Sequence, residues 1–155
     1  MKYKLAVCDD SDADREYILN MVRRWAAGSG HVVHIDTFMS AESFLFRYAG
    51  ESDYDILLLD IEMGEMDGVT MAKQLRKSND TVQIVFITGY FDYISEGYEV
   101  AALHYLMKPV REEKLCSVLD RAVEKLAKNE KVLTFDVGGE MVRVPVCQIR
   151  YADVY

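Results

Sequence analysis

Four apolar, strand-like segments of this sequence end in side chains that could take part in phosphoryl chemistry. Two segments end in acids, one in a hydroxyl and one in an amine; these residues are Asp9 with Asp10, Asp60, Thr88 and Lys108. A single aspartate at a strand end usually serves a turn, but all four ends are hard to explain in that way. Clustered carboxylates repel each other unless a cation lies among them, and Mg²⁺ prefers oxygen ligands. The set therefore predicts a site for a divalent cation and a phosphoryl group.

Each of these residue types has a defined use in phosphoryl transfer. Asp60 would attack a phosphoryl donor as a carboxylate nucleophile. Lys108 and the metal ion would neutralise the oxygens of the transferring group, and Thr88 would donate its hydroxyl to one of them. The site therefore depends on an arrangement of strands that brings the four ends together.

Strand and helix patterns alternate along the chain. Strands are predicted over 3–8, 32–38, 55–59, 82–88 and 103–107. Helices are predicted from caps at Ser11 and Ser40, after the loop 62–68, over 89–101 and over 111–129. Five successive strand–helix units predict an α/β fold with a parallel sheet and helices on both faces, and the near-continuous apolar strands agree. Ligands of such sheets bind at the carboxyl ends of the strands, where all five candidate residues lie.

From residue 131 the pattern changes to short strands. Residues 132–137 and 140–146, separated by Gly138-Gly139, predict a β-hairpin, and residues 148–155 could add a third strand. Such a segment is too short to form a domain. We therefore predict one domain over 1–128, followed by a linker and the first strands of a truncated second domain over 129–155. An extra edge hairpin of the first domain is the alternative.

Charge and composition exclude several classes of protein. The net charge of the 155 residues is −8; residues 131–155 sum to zero, so the acidic part is 1–130 and should repel nucleic acid. No segment has the length of an apolar membrane span, so no membrane partner is expected. Three scattered cysteines, Cys8, Cys116 and Cys147, favour a reducing compartment and hence a cytoplasmic protein.

The strand ends resemble those of the receiver domain of two-component response regulators, over roughly residues 3–125. The resemblance rests on five motifs: Val7-Cys8-Asp9-Asp10, Leu58-Leu59-Asp60-Ile61-Glu62-Met63, Met66-Asp67-Gly68, Ile87-Thr88-Gly89 and Tyr105-Leu106-Met107-Lys108-Pro109. It implies a doubly wound, flavodoxin-like sheet of five parallel strands in the order 2-1-3-4-5.

The resemblance also implies a role for each site residue. Asp60 would accept a phosphoryl group from a sensor histidine kinase, with Lys108 pairing to the phosphate. Mg²⁺ would be held by Asp9, Asp10, Asp60 and the backbone carbonyl of Glu62. Thr88 and Tyr105 would form the switch pair, and the bond between Lys108 and Pro109 would be cis.

Two features of the loops bear on the same site. The family usually has proline four residues after the acceptor, whereas this chain has Gly64. Glu62 and Tyr90 each lie two residues beyond a site residue, and we expect them to tune the lifetime of the phosphoryl group.

A second resemblance concerns the output. The segments 89–93, 99–110 and 137–151 resemble regulators with a LytTR-type DNA-binding domain. The full protein would then be a transcription factor that binds DNA, whereas this fragment would not. Activation would form a homodimer through the predicted helix 89–101, the fifth strand and the last helix.

Two other functions compete with a transcriptional switch. A stand-alone receiver would control a protein partner, which the segment 131–155 disfavours. A Mg²⁺-dependent phosphatase of the haloacid-dehalogenase type would usually show Asp-x-Asp after the first strand, where this chain has Cys8-Asp9-Asp10-Ser11. We therefore expect a phosphoryl-accepting switch and not an enzyme.

Overall fold

Five parallel strands form one sheet in the computed structural model, which describes the backbone of residues 2–89 and 99–140 and the side chains of 2–89 and 99–128. The strand order is β2-β1-β3-β4-β5, so the predicted fold class is confirmed. The strands are β1 (Lys2–Cys8), β2 (Val32–Phe38), β3 (Ile56–Leu59), β4 (Gln83–Thr88) and β5 (His104–Met107). The helices are α1 (Asp12–Ser29), α2 (Ala41–Gly50), α3 (Gly68–Arg76) and α4 (Glu112–Glu140).

The sheet lies within one compact unit, Met1–Val118, and a second unit runs from Leu119 to Tyr155. Among the described residues, no helix combines the length and the apolar character that crossing a membrane requires. The site residues predicted from the sequence all belong to the first unit.

Local capping explains where the first three helices begin. The Ser11 hydroxyl accepts a hydrogen bond from the Asp14 backbone N–H at 3.2 Å, and the Ser40 hydroxyl accepts one from Ser43 at 3.0 Å. Asp67 caps α3 in the same way. These contacts satisfy backbone donors that have no partner within the helix, and they confirm the predicted caps at Ser11 and Ser40.

The core covers both faces of the sheet. Leu5 and Leu58 are fully buried on one face, and because strand residues alternate between faces, their neighbours lie on the other. There, side chains of α2 and α3 pack against the sheet in a cluster that includes Ala6, Cys8, Phe38, Phe44, Leu57, Leu59, Met71, Leu75, Ile84 and Phe86. Burial on both sides fixes the strands, and with them the positions of the strand ends.

The start of α3 lies directly against the backbone that follows β3. The Gly68 N–H donates a hydrogen bond to the Ile61 carbonyl at 2.8 Å. A Cβ atom at Gly68 would lie only 2.2 Å from the Asp60 carbonyl oxygen. Only glycine therefore allows this close approach, which holds the backbone of Asp60 in place.

Arg76, at the end of α3, holds the segment that leads into β5. Its guanidinium donates hydrogen bonds to the carbonyls of Val100 at 2.7 Å and Ala101 at 3.3 Å. Burial lowers the pKa of Arg76 to about 10, and the negative charge of Asp80 opposes that shift. Ala101 has a φ of 54°, a left-handed conformation that a residue with a side chain adopts at a cost. These hydrogen bonds help to hold the strained entry to β5.

The last helix differs from the sequence prediction. We predicted that the helix ends at residue 129 and that a strand covers 132–137, but α4 continues to Glu140. The first strand of the hairpin and its Gly138-Gly139 turn are therefore wrong for this chain. Extending an existing helix is easier than nucleating a new element, and a lone hairpin is only marginally stable. Residues 141–155, with the other predicted strands, and most of the helix predicted over 89–101 lie outside the described residues.

The close approach at Gly68 predicts a strong effect of adding one methyl group. Gly68→Ala should lower the free energy of unfolding by at least about 1–3 kcal/mol, because the Cβ would overlap backbone atoms that cannot easily move. The measurement is urea denaturation monitored by circular dichroism.

Gly28→Ala is the matched control, because a Cβ at this helical position meets no atom within 4 Å. It should raise the stability by roughly 0.5–1 kcal/mol, since alanine favours a helix more than glycine does. A Gly68→Ala variant as stable as the wild type would contradict the close approach.

Candidate functional site

Two of the predicted acids emerge side by side because β1 and β3 are neighbours. Cys8, the last residue of β1, pairs with Leu59, the last residue of β3. The residue that follows each of them is an aspartate. The Asp60 N–H donates to the Cys8 carbonyl at 2.9 Å, and the Asp9 N–H donates to Phe38 at 3.0 Å. Carboxylate oxygens of Asp9, Asp10 and Asp60 lie within 4.8 Å of one another. Such a set of oxygen donors fits a hard divalent cation.

Lys108 reaches this cluster from the end of β5. Its Nζ lies 2.9 Å from Oδ2 of Asp9, 3.3 Å from Oδ2 of Asp60 and 2.8 Å from Oδ2 of Asp14. Its backbone N–H continues the sheet pairing by donating to the Thr88 carbonyl at 2.9 Å. The bond between Lys108 and Pro109 is cis, as the family resemblance implies.

Backbone groups hold the other oxygens of the two buried aspartates. Oδ1 of Asp9 accepts the Ser11 N–H at 2.9 Å, and Oδ1 of Asp60 accepts the Ile61 N–H at 2.8 Å. Arg15 donates to the Asp9 carbonyl at 2.7 Å. Because each Oδ1 is held by the backbone, each Oδ2 is directed towards the Lys108 amine.

Burial makes the charges of this site costly. Asp9 is 1% exposed and Asp60 is 6% exposed, whereas Asp10 is exposed. Burial raises the pKa of Asp60, and the negative charge of Asp9 raises it further, while Lys108 and a hydrogen bond with Thr88 oppose the shift. Burial would lower the pKa of Lys108, but its contacts with Asp14, Asp9 and Asp60 outweigh burial and raise it. The amine therefore stays protonated and neutralises part of the cluster.

Thr88 and Tyr105 lie on the adjacent strands β4 and β5. Thr88 is fully buried, and its hydrogen bond with Asp60 helps to lower the pKa of that carboxyl. Tyr105 is half-buried, and its ring centroid lies 6.1 Å from that of Phe86. Phe86 pairs with Tyr105 in the sheet. A hydroxyl that contacts Asp60 is thus linked through paired strands to a half-buried aromatic ring.

An open cleft gives solvent access to Asp60 and Lys108. Glu62, Gly64 and Gly89 contribute to its rim; the full lining is Asp10, Ser11, Asp14, Asp60, Glu62, Gly64, Gly89 and Lys108. Gly64 has a φ of 81°, which proline cannot adopt because its ring fixes φ near −65°. The departure from the family's proline therefore accompanies a different turn in this loop. Tyr90 lies outside the described residues.

Asp14 is the site residue that the sequence analysis missed. The sequence analysis gave it no role in the site, yet its carboxylate contacts Lys108 at 2.8 Å. Asp14 lies in the first turn of the helix that follows the Asp9-Asp10 strand end. Its closeness in sequence to those two acids was the available signal.

A comparison with known families agrees with this geometry. Residues 5–120 match the response regulator receiver domain. The chain therefore belongs to the receiver-domain family of two-component response regulators.

Three of the similar proteins share 27–28% sequence identity with the chain. The chain is 27% identical to the transcriptional regulatory protein NatR of Bacillus subtilis, with 79% of this chain and 50% of NatR covered. It is 28% identical to the sensory transduction protein LytT of the same species, covering 96% of this chain and 64% of LytT. The receiver domain of AraT, a response regulator from Geobacillus stearothermophilus, superposes with a TM-score of 0.73 at 27% identity, covering 84% of this chain and 99% of that one. The chain thus spans about half to two thirds of the length of these curated relatives.

The raised pKa of Asp60 predicts how stability depends on pH. Without divalent cations, the folded protein binds the Asp60 proton more tightly than the unfolded chain does. The contribution of Asp60 to stability should therefore fall as the pH rises from about 3.8, the ordinary pKa, through the raised value. Asp60→Asn lacks this titration, so its stability relative to the wild type should grow across the same window, measured by urea denaturation in EDTA.

Asp53→Asn is the control with the opposite sign. A hydrogen bond from Lys4 lowers the pKa of the exposed Asp53, so this carboxylate contributes stability that is present at higher pH and lost on acidification. Asp53→Asn should therefore lose stability relative to the wild type as the pH rises. A constant difference between Asp60→Asn and the wild type would contradict the raised pKa.

Proposed function

We propose that Asp60 accepts a phosphoryl group from a sensor histidine kinase in a Mg²⁺-dependent reaction. The observation that carries this proposal is the contact between the Lys108 amine and Oδ2 of Asp60, at 3.3 Å, within a cluster of carboxylates that opens to solvent. The cleft therefore combines a nucleophile with a cation positioned to meet negative charge.

The transfer forms one bond and breaks one. A carboxylate oxygen of Asp60 attacks phosphorus, and the bond from phosphorus to the donor breaks. The electron pair of that bond leaves with the donor atom, which is an imidazole nitrogen of phosphohistidine or an oxygen of acetyl phosphate. The Lys108 amine and the Thr88 hydroxyl stabilise the negative oxygens of the transferring group. Mg²⁺ bound by Asp9, Asp10, Asp60 and the Glu62 carbonyl would supply further charge neutralisation.

The phosphoryl group would then shift an existing equilibrium between two conformations. Thr88 would move towards the phosphate, and Tyr105 would turn inward behind it. The altered surface would include β5, the start of α4 and the helix predicted over 89–101, through which the activated protein would form a homodimer. The hydrogen bond of Thr88 with Asp60 already puts the hydroxyl against the carboxyl that would carry the phosphoryl group.

The output we propose is control of transcription through a C-terminal LytTR-type DNA-binding domain. Two observations support it: one relative carries the name transcriptional regulatory protein, and another carries the name sensory transduction protein LytT. DNA binding would belong to the full protein. The chain itself would be a phosphoryl-accepting switch, because Asp60 is both the acceptor and the group that must be regenerated by hydrolysis.

Phosphorylation by a small donor tests the proposed acceptor. Wild-type protein incubated with acetyl phosphate and Mg²⁺ should gain the mass of one phosphoryl group, measured by intact-protein mass spectrometry. Asp60→Asn and the wild type in EDTA should gain none, because they lack the nucleophile and the cation respectively. Asp53→Asn is the matched control, since it removes an exposed carboxylate away from the cleft, and it should be phosphorylated like the wild type. An equal gain in Asp60→Asn would overturn the assignment.

Mg²⁺ should also stabilise the folded protein, because the cluster exists only in the folded state. At about 100 times the dissociation constant, the free energy of unfolding should rise by about 2.7 kcal/mol. Asp10→Asn removes an exposed carboxylate of the cluster that is not among the Lys108 partners, so it should need more Mg²⁺ for the same gain. Thermal denaturation over a Mg²⁺ titration measures the stabilisation of the wild type and the Mg²⁺ concentration that Asp10→Asn requires. An unchanged titration for Asp10→Asn would contradict the proposed ligand set.

A further inference from the structure

We infer that Asp14 is a positioning residue that holds Lys108 in the unphosphorylated protein and competes with the phosphoryl group for its amine. This inference rests on the proposed function of Asp60. Asp14 would set how readily the cleft accepts a phosphoryl donor, and its removal would make the cleft more receptive.

The hydrogen-bonding capacity of Lys108 limits how many partners its amine can hold. A lysine ammonium has three donors and no acceptor. Three carboxylate oxygens, from Asp9, Asp14 and Asp60, lie within 3.3 Å of the Lys108 Nζ. The amine therefore has no spare donor. It must release one partner before it can donate to an oxygen of an incoming phosphoryl group.

Asp14 is the partner that can be released most easily. Asp9 has a side chain only 1% exposed, and that of Asp60 is 8% exposed, so water cannot readily replace the amine at either carboxylate. The side chain of Asp14 is 46% exposed, so water can replace the amine there. The contact of Asp14, at 2.8 Å, is nonetheless as short as that of Asp9, at 2.9 Å, so Asp14 holds the amine in the unphosphorylated protein.

Asp14 also acts on the cleft through its charge. Its carboxylate lines the cleft together with Asp10 and Glu62, so it faces the space that a negatively charged phosphoryl donor must enter. Asp14 is not one of the three aspartates whose oxygens lie within 4.8 Å of one another. Removing its charge should therefore free Lys108 and reduce repulsion of the donor, while the three metal-binding carboxylates stay in place.

The backbone role of Asp14 can be separated from its side-chain role. The Ser11 cap binds the backbone N–H of Asp14, which a substitution of the side chain keeps. Asp12 lies in the same first turn of α1, and its carboxylate pairs with Arg15 and not with Lys108. Asp12→Asn thus removes an equal charge from the same helix end, which makes it the matched control.

The test measures binding of beryllofluoride, a stable mimic of the phosphoryl group, by isothermal titration calorimetry at saturating Mg²⁺. The exchange of a half-exposed ion pair should change a dissociation constant by about two- to fivefold. Asp14→Asn should therefore bind beryllofluoride about two- to fivefold more tightly than the wild type. The concentration of acetyl phosphate that gives half-maximal phosphorylation should fall by a similar factor. Asp14→Glu, which keeps the carboxylate, should return both values towards those of the wild type.

Each outcome bears on one claim. Unchanged or weaker binding by Asp14→Asn would overturn the inference, as would an equal gain in Asp12→Asn, because the effect would then be general charge and not the Lys108 contact. A gain in Asp14→Glu equal to that in Asp14→Asn would also overturn it. If the wild type itself binds no beryllofluoride and gains no phosphoryl group, the proposed function of Asp60 fails.

Discussion

The structure depends on one ammonium group placed among three carboxylates at the edge of a parallel sheet. Asp9 and Asp60 are almost completely buried, and two such charges side by side would repel each other strongly without a cation. Lys108, which directly follows the edge strand β5, supplies that cation. The order β2-β1-β3-β4-β5 makes this possible, because it sets the ends of β1 and β3 together and lets β5 deliver Lys108 towards them.

The site combines carboxylates that are held by the backbone with an amine that can exchange its hydrogen-bond partners. Backbone N–H groups hold Asp9 and Asp60, and Gly68 lets α3 press against the Asp60 backbone. The Lys108 amine, in contrast, can change its partners without moving the sheet. The proposed conversion of Asp60 to an aspartyl phosphate would alter that choice of partners. The consequences would be transmitted through β4 and through β5, and Arg76 holds the segment that leads into β5.

The sequence predicts most of this fold because its signals are local. Apolar runs that end in polar residues mark four of the five strands, and Ser11 and Ser40 mark helix starts through contacts within four residues. The contacts that sequence analysis missed depend on tertiary structure. The close packing of Gly68 against the Asp60 backbone and the Asp14 contact with Lys108 join residues that only the assembled sheet brings together. The strand predicted over 132–137 was wrong because its β-type pattern was judged alone, without the helix that precedes it.

The most direct test of the central claim is to find which residue receives the phosphoryl group. Protein treated with acetyl phosphate and Mg²⁺ can be reduced with borohydride, which converts an aspartyl phosphate to homoserine, and then digested for peptide mass mapping. The geometry predicts homoserine at position 60 and at no other aspartate. Homoserine at Asp9, Asp10 or Asp14, or phosphorylated protein that yields no homoserine, would contradict the assignment of Asp60 as the acceptor.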